Sequence, residues 1–130
     1  METIFVVDDS SINLSKADEA LSDHYDVITI LSASTMFELL EDIIPDIILL
    51  DIMMPDMDGF EALKKLKDDT RYEGIPIVFL TSKKDAATEA RGLGMSISDF
   101  IEKPFSKEIL LSRIRAVLDS ENASLKKSEE

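Results

Sequence analysis

Six side chains able to do chemistry stand at the ends of apolar runs. Asp8 and Asp9 follow "IFVV" (Ile4–Val7), and Asp51 follows "IILL" (Ile47–Leu50). Thr81 and Ser82 follow "IVFL" (Ile77–Leu80), and Lys103 follows the weaker run "SDFI" (Ser98–Ile101). Three carboxylates brought together repel one another. Two like charges about 4 Å apart cost roughly 4 kcal/mol at an effective dielectric near 20. Either one carboxyl keeps its proton or a cation holds the group. Oxygen ligands without His or Cys favour Mg²⁺, Mn²⁺ or Ca²⁺ over zinc. A lysine and a hydroxyl beside such a cation form a set that binds phosphoryl oxygens. A carboxylate such as Asp51 can itself be the nucleophile and form an acyl phosphate.

Each residue alone has a plainer use. "DDSS" can be a capping cluster at the positive end of a helix. Asp51 can cap the turn before Pro55, the hydroxyls can start a helix, and Lys103 before Pro104 is ordinary. Their recurrence at successive strand ends favours the joint reading, provided that the strands run parallel.

The elements that must position them support this. The three strong runs are short, unbroken and rich in β-branched or aromatic residues, as strands buried on both faces are. "YDVITI" (Tyr25–Ile30) mixes in polar residues, as an outer strand would. Helical patterns fill the gaps. "SINLSKADEALSD" has Ser10 or Ser11 as its cap. "TMFELLEDI" has Thr35 and Glu38 at capping-box spacing. "DGFEALKKLKDD" puts Phe60, Leu63 and Leu66 on one side. "KDAATEARGLGM" is a weaker helix, and "SKEILLSRIRAVLDS" spaces Ile109, Leu110, Ile114 and Leu118 as an amphipathic one. Five β-α units imply an α/β fold around a parallel sheet. In such sheets ligands sit beyond the carboxyl ends of the strands, where these polar residues lie. The domain is expected over residues 1–119, with 120–130 as a polar tail or the start of a linker.

Composition narrows the function classes. A chain of 130 residues fits one core. It has no cysteine, which removes disulfides and thiolate metal sites and agrees with a cytoplasmic location. No apolar run is long enough to span a membrane, and the N-terminus lacks the features of a signal peptide. A net charge of −13 argues against nucleic acid as a direct partner. That charge suits a cation or a basic surface on another protein, and it also serves solubility.

"FVVDDS", "DIILLDIMMPDMDGFEALKKLK", "IPIVFLTS" and "DFIEKPF" together resemble the receiver domain of two-component response regulators, over about Thr3 to Leu118. The resemblance implies a flavodoxin-like, doubly wound five-stranded parallel sheet of order 2-1-3-4-5 with five helices. It implies that Asp51 accepts a phosphoryl group from a histidine kinase or a histidine phosphotransfer protein. Asp9, Asp51 and the backbone carbonyl of Met53 would bind Mg²⁺, with Asp8 acting mainly through water. Lys103 would pair with the phosphoryl group, Thr81 would move its hydroxyl onto it, and Phe100 would turn inward as the switch aromatic. Lys103-Pro104 would be cis. The fourth helix, fifth strand and fifth helix would carry the signal to an output domain or a partner protein. Phe100 stands where the family more often has Tyr, and Ser96 where glycine is usual.

Other readings fit less well. "DMDG" (Asp56–Gly59) suggests an EF-hand, but Met54 stands where an acid is needed. It also suggests a phosphatase DxDG motif, which would have to follow a strand directly. No glycine-rich phosphate loop follows the first strand. His24 is the only histidine and lies in a polar turn, which argues against histidine phosphotransfer by this chain. A phosphorylation-independent interaction module would have no use for the full acid, hydroxyl and lysine set. A phosphatase acting on external esters would need a second hydrolytic group.

Overall fold

The computed structural model describes residues 1–82 and 97–129, with side chains described as far as Asn122. The helical pattern expected at 84–95, and Ser96, lie outside the described residues. Five strands form one parallel sheet: β1 Thr3–Val7, β2 Asp26–Ile30, β3 Ile47–Asp51, β4 Ile77–Thr81 and β5 Asp99–Glu102. Their order is β2-β1-β3-β4-β5. Asp51 and Thr81 are therefore the last residues of their strands, not the first residues of loops.

Alternation along the strands builds two cores. Phe5, Val7, Ile48, Leu50, Ile77 and Phe79 face one side of the sheet. Ile4, Val6, Ile47, Leu49, Val78 and Leu80 face the other. Helices α2 (Ala33–Leu40) and α3 (Gly59–Lys67) cover the first side through Met36, Leu40, Ala62, Leu63 and Leu66. Helix α1 (Ser11–Leu21) and the C-terminal helix (Lys107–Glu129) cover the second through Leu14, Ala17, Leu21, Leu110, Ile114 and Leu118. The fold is thus doubly wound, with four helices among the described residues.

Several boundaries differ from expectation. Ser32, not Thr35, caps α2: its hydroxyl accepts the Thr35 N–H at 3.2 Å. Ala33 is fully buried, so the helix begins at that contact and Thr35 falls in its first turn. Ser10 caps α1 and Asp58 caps α3 in the same manner. Ile109 is 51% exposed, while Leu110 beside it is fully buried. Leu110, Ile114, Val117 and Leu118 face the sheet, and Ile109 lies to the side of that face. The C-terminal helix runs from Lys107 to Glu129. No glycine or proline follows Leu118 to stop it. Among the described residues no helix is long and apolar enough to cross a membrane.

Candidate functional site

The carboxyl ends of β1, β3, β4 and β5 lie side by side because the strands are parallel and adjacent. Asp8 follows β1 directly and is 1% exposed. Both of its oxygens are occupied: Oδ1 accepts the Ser10 N–H at 2.9 Å, and Oδ2 accepts from Lys103 Nζ at 2.7 Å. Asp9 is exposed. Asp51 is 3% exposed. Its Oδ1 accepts from Lys103 Nζ at 3.1 Å and from the Met53 N–H at 3.4 Å. Lys103 reaches this point because its own N–H donates to the Thr81 carbonyl at 2.8 Å, tying the end of β5 to β4. The Lys103-Pro104 bond is cis.

One oxygen from each of Asp8, Asp9 and Asp51 lies within 4.8 Å of the other two. The electrostatics follow from burial. Desolvation, reinforced by repulsion from Asp8, pushes the Asp51 carboxyl up to about 6, against the lowering effect of Lys103 and the Met53 N–H. Burial works to lower the Lys103 ammonium, but its bonds to Asp8 and Asp51 outweigh that and hold it above the ordinary lysine range. One cation faces two buried acids and a third at the rim. The donor set is all oxygen, and octahedral Mg²⁺ spaces its ligand oxygens roughly 3–4 Å apart, so the three carboxylates fit a hard divalent ion after small adjustment.

The remaining predicted residues surround this centre. Thr81 is fully buried at the end of β4. Met53 is 63% exposed at the start of the loop after β3. Phe100 is half-buried against the α2–α3 side of the core, in register with Phe79. His24 lies in an exposed turn between α1 and β2.

Gly59 shows why the loop after β3 must return through glycine. A Cβ there would lie 2.7 Å from Ile52 Cα and 2.8 Å from the Asp51 carbonyl oxygen. The Gly59 N–H donates to the Ile52 carbonyl at 2.8 Å. The need is for close backbone approach, because the first turn of α3 presses against the Asp51–Ile52 peptide.

The family model of the response regulator receiver domain matches residues 4–115. The chain belongs to that family. This receiver domain is 38% identical to the response regulator PleD of Caulobacter vibrioides over 115 residues, which are 88% of this chain and 25% of PleD. It is 32% identical to Protein PilH of Pseudomonas aeruginosa over 119 residues, covering 91% of this chain and 98% of PilH. The chemotaxis response regulator CheY4 of Vibrio cholerae matches its fold with a TM-score of 0.82 at 28% identity, covering 90% of this chain and 98% of that one. The chain spans about a quarter of the length of PleD and of a probable cyclic di-GMP phosphodiesterase of Vibrio cholerae that it also matches.

Sequence reasoning missed two residues of this region. Ser10 supplies the N–H that fixes Asp8, and Asp56 in the loop after β3 accepts from Ser34 on α2 at 3.0 Å. The capping position of Ser10 was the available signal for the first. The second pair, 22 residues apart, leaves no local pattern.

Proposed function

We propose that this receiver domain is a signalling switch whose phosphoacceptor is Asp51, loaded from a phosphohistidine on a histidine kinase or a histidine phosphotransfer protein. The observation that carries this is one half-buried lysine shared by Asp8 and Asp51, with Asp9 completing the oxygen cluster. An Asp51 oxygen attacks phosphorus while the phosphorus–nitrogen bond breaks. The electron pair returns to the imidazole nitrogen of the donor, which then takes up a proton.

Asp9, Asp51 and the Met53 carbonyl would hold Mg²⁺, which when bound neutralises acid and stabilises charge on the transferring oxygens. Asp8, whose oxygens accept from Ser10 and Lys103, would act on the ion mainly through water. After transfer the Lys103 ammonium pairs with the phosphoryl group and the Thr81 hydroxyl donates to it. Phe100 then moves inward on the Phe79 side. The surface changed in this way is β5, the C-terminal helix and the segment before β5, which engages an output domain or a partner protein. The domain is no enzyme toward outside substrates. It promotes only its own phosphorylation and dephosphorylation.

The test is rapid intact-mass measurement after acetyl phosphate and Mg²⁺ are added. Wild type gains one phosphoryl group, and neither Asp51→Asn nor wild type in chelator gains any. No gain in wild type, or an equal gain in Asp51→Asn, overturns the proposal.

A further inference from the structure

The loop between β3 and α3, residues 52–58, carries Met53 and must hold its shape beside the acceptor. Most of its described polar contacts stay at home. The Met53 N–H donates to Asp51, the Gly59 N–H to Ile52, and the Glu61 N–H to Asp58. Ile52 and Met54 anchor it from below, at 2% and 6% exposure. Among the described residues, one side-chain hydrogen bond of this loop reaches an element other than the strand and helix it joins. The Ser34 hydroxyl, in the first turn of α2, donates to Asp56 Oδ2 at 3.0 Å. Both residues are exposed.

Ile52, Met54 and the partly buried Met57 hold the loop from below and its ends hold it in line, which leaves its exposed residues little to fix them along the sheet plane. Fixing each such residue costs roughly 1–2 kcal/mol of entropy, which any ligand that needs the loop ordered must meet. A lateral tether meets part of that cost in advance. We infer that Ser34 is a positioning residue for the acceptor loop: through Asp56 it holds residues 52–58 in the arrangement that receives the divalent cation. The inference rests on the proposed reading of Met53 as a carbonyl ligand. It also gives α2 a share in the site that the spacing of the acids does not reveal.

The tether predicts a specific pattern in Mg²⁺ binding followed by titration calorimetry. Ser34→Ala removes a neutral hydroxyl at an exposed position, so it leaves the core and the local charge unchanged. Mg²⁺ binding should weaken roughly two- to tenfold, the scale of one typical hydrogen bond. Ser34→Thr, which keeps the hydroxyl, should restore most of the loss. Asp56→Asn also removes a charge, so the decisive comparison is the double variant. Ser34→Ala should cost little in the Asp56→Asn background, because the partner is already weakened. Acetyl phosphate labelling at limiting Mg²⁺ should slow in step with affinity and recover at saturating Mg²⁺. Wild-type affinity in Ser34→Ala, or a full additional loss in the double variant, overturns the inference while leaving the acceptor assignment intact. Absence of Mg²⁺ binding by wild type overturns both.

Discussion

Asp46 immediately precedes β3 and Asp51 is its last residue. The two acids stand at opposite ends of one strand and differ in almost everything else. Asp46 is exposed, accepts the Thr3 N–H at 2.7 Å, and donates its own N–H to the Thr3 carbonyl at 2.8 Å. It clasps β1 to β3 at the amino edge of the sheet, where water screens its charge. Asp51 is buried beside a second buried acid and depends on one lysine for compensation. Solvent lets a carboxylate serve as a simple structural acceptor. Burial makes the same group costly to ionise, and therefore responsive to a cation or a phosphoryl group. The sheet keeps its register with the first kind and presents its chemistry with the second.

The largest effect should come from removing the compensating cation. Lys103→Met leaves Asp8 and Asp51 buried without it, which should lower metal-free stability by on the order of 3 kcal/mol at pH 8 in urea unfolding. The deficit should shrink toward pH 5 as Asp51 takes up a proton. An equal deficit at both pH values would break the contrast between the two ends of the strand.

Gly59→Ala forces a methyl group against the Asp51 and Ile52 backbone and should cost about 1–3 kcal/mol. The same variant should slow acetyl phosphate labelling, because the displaced atoms include the acceptor's own carbonyl.

Asp51→Asn should act with the opposite sign. The folded carboxyl is raised from 3.8 to about 6, so the folded state binds the proton more tightly than the unfolded chain. Wild-type stability contributed by this group is full below pH 3.8 and is lost as pH rises through about 6. Above that window Asp51→Asn should be more stable than wild type by about 1–2 kcal/mol in chelator, less than the whole shift because Lys103 loses a charged partner. Saturating Mg²⁺ should stabilise wild type more than the variant.

The smallest effect belongs to the other end of the strand. Asp46→Ala should cost about 1 kcal/mol or less, and it should leave phosphoryl labelling unchanged. A labelling defect in Asp46→Ala would show that the two edges are coupled.

The sequence revealed most where burial is complete. β1, β3 and β4 are buried on both faces, so their apolar runs were unbroken and marked the ends that carry Asp8, Asp51 and Thr81. Edge strands read less well: Tyr25 belongs to the core near β2 but not to the strand. Helix starts were ambiguous where hydroxyls recur at cap spacing, as Ser32 and Thr35 do. Ile109 was misread because an apolar residue next to Leu110 looks like core in composition but not in rotation. Contacts across the fold left no trace at all. Ser34 with Asp56 and Asp46 with Thr3 are polar pairs whose meaning exists only once the sheet order is fixed. Tyr72 is similar: its hydroxyl is buried without a described partner, which no local motif announces.

β3 contributes five buried residues and delivers its reactive group only at the tip. The working end is therefore separated from the helix exteriors, where lysines and acids face water. Those outer positions, Ser34 apart, can be rewritten without disturbing the tip. A library randomised at exposed helix positions other than Ser34 should thus change the outer surface while leaving labelling by a small phosphodonor at the original rate.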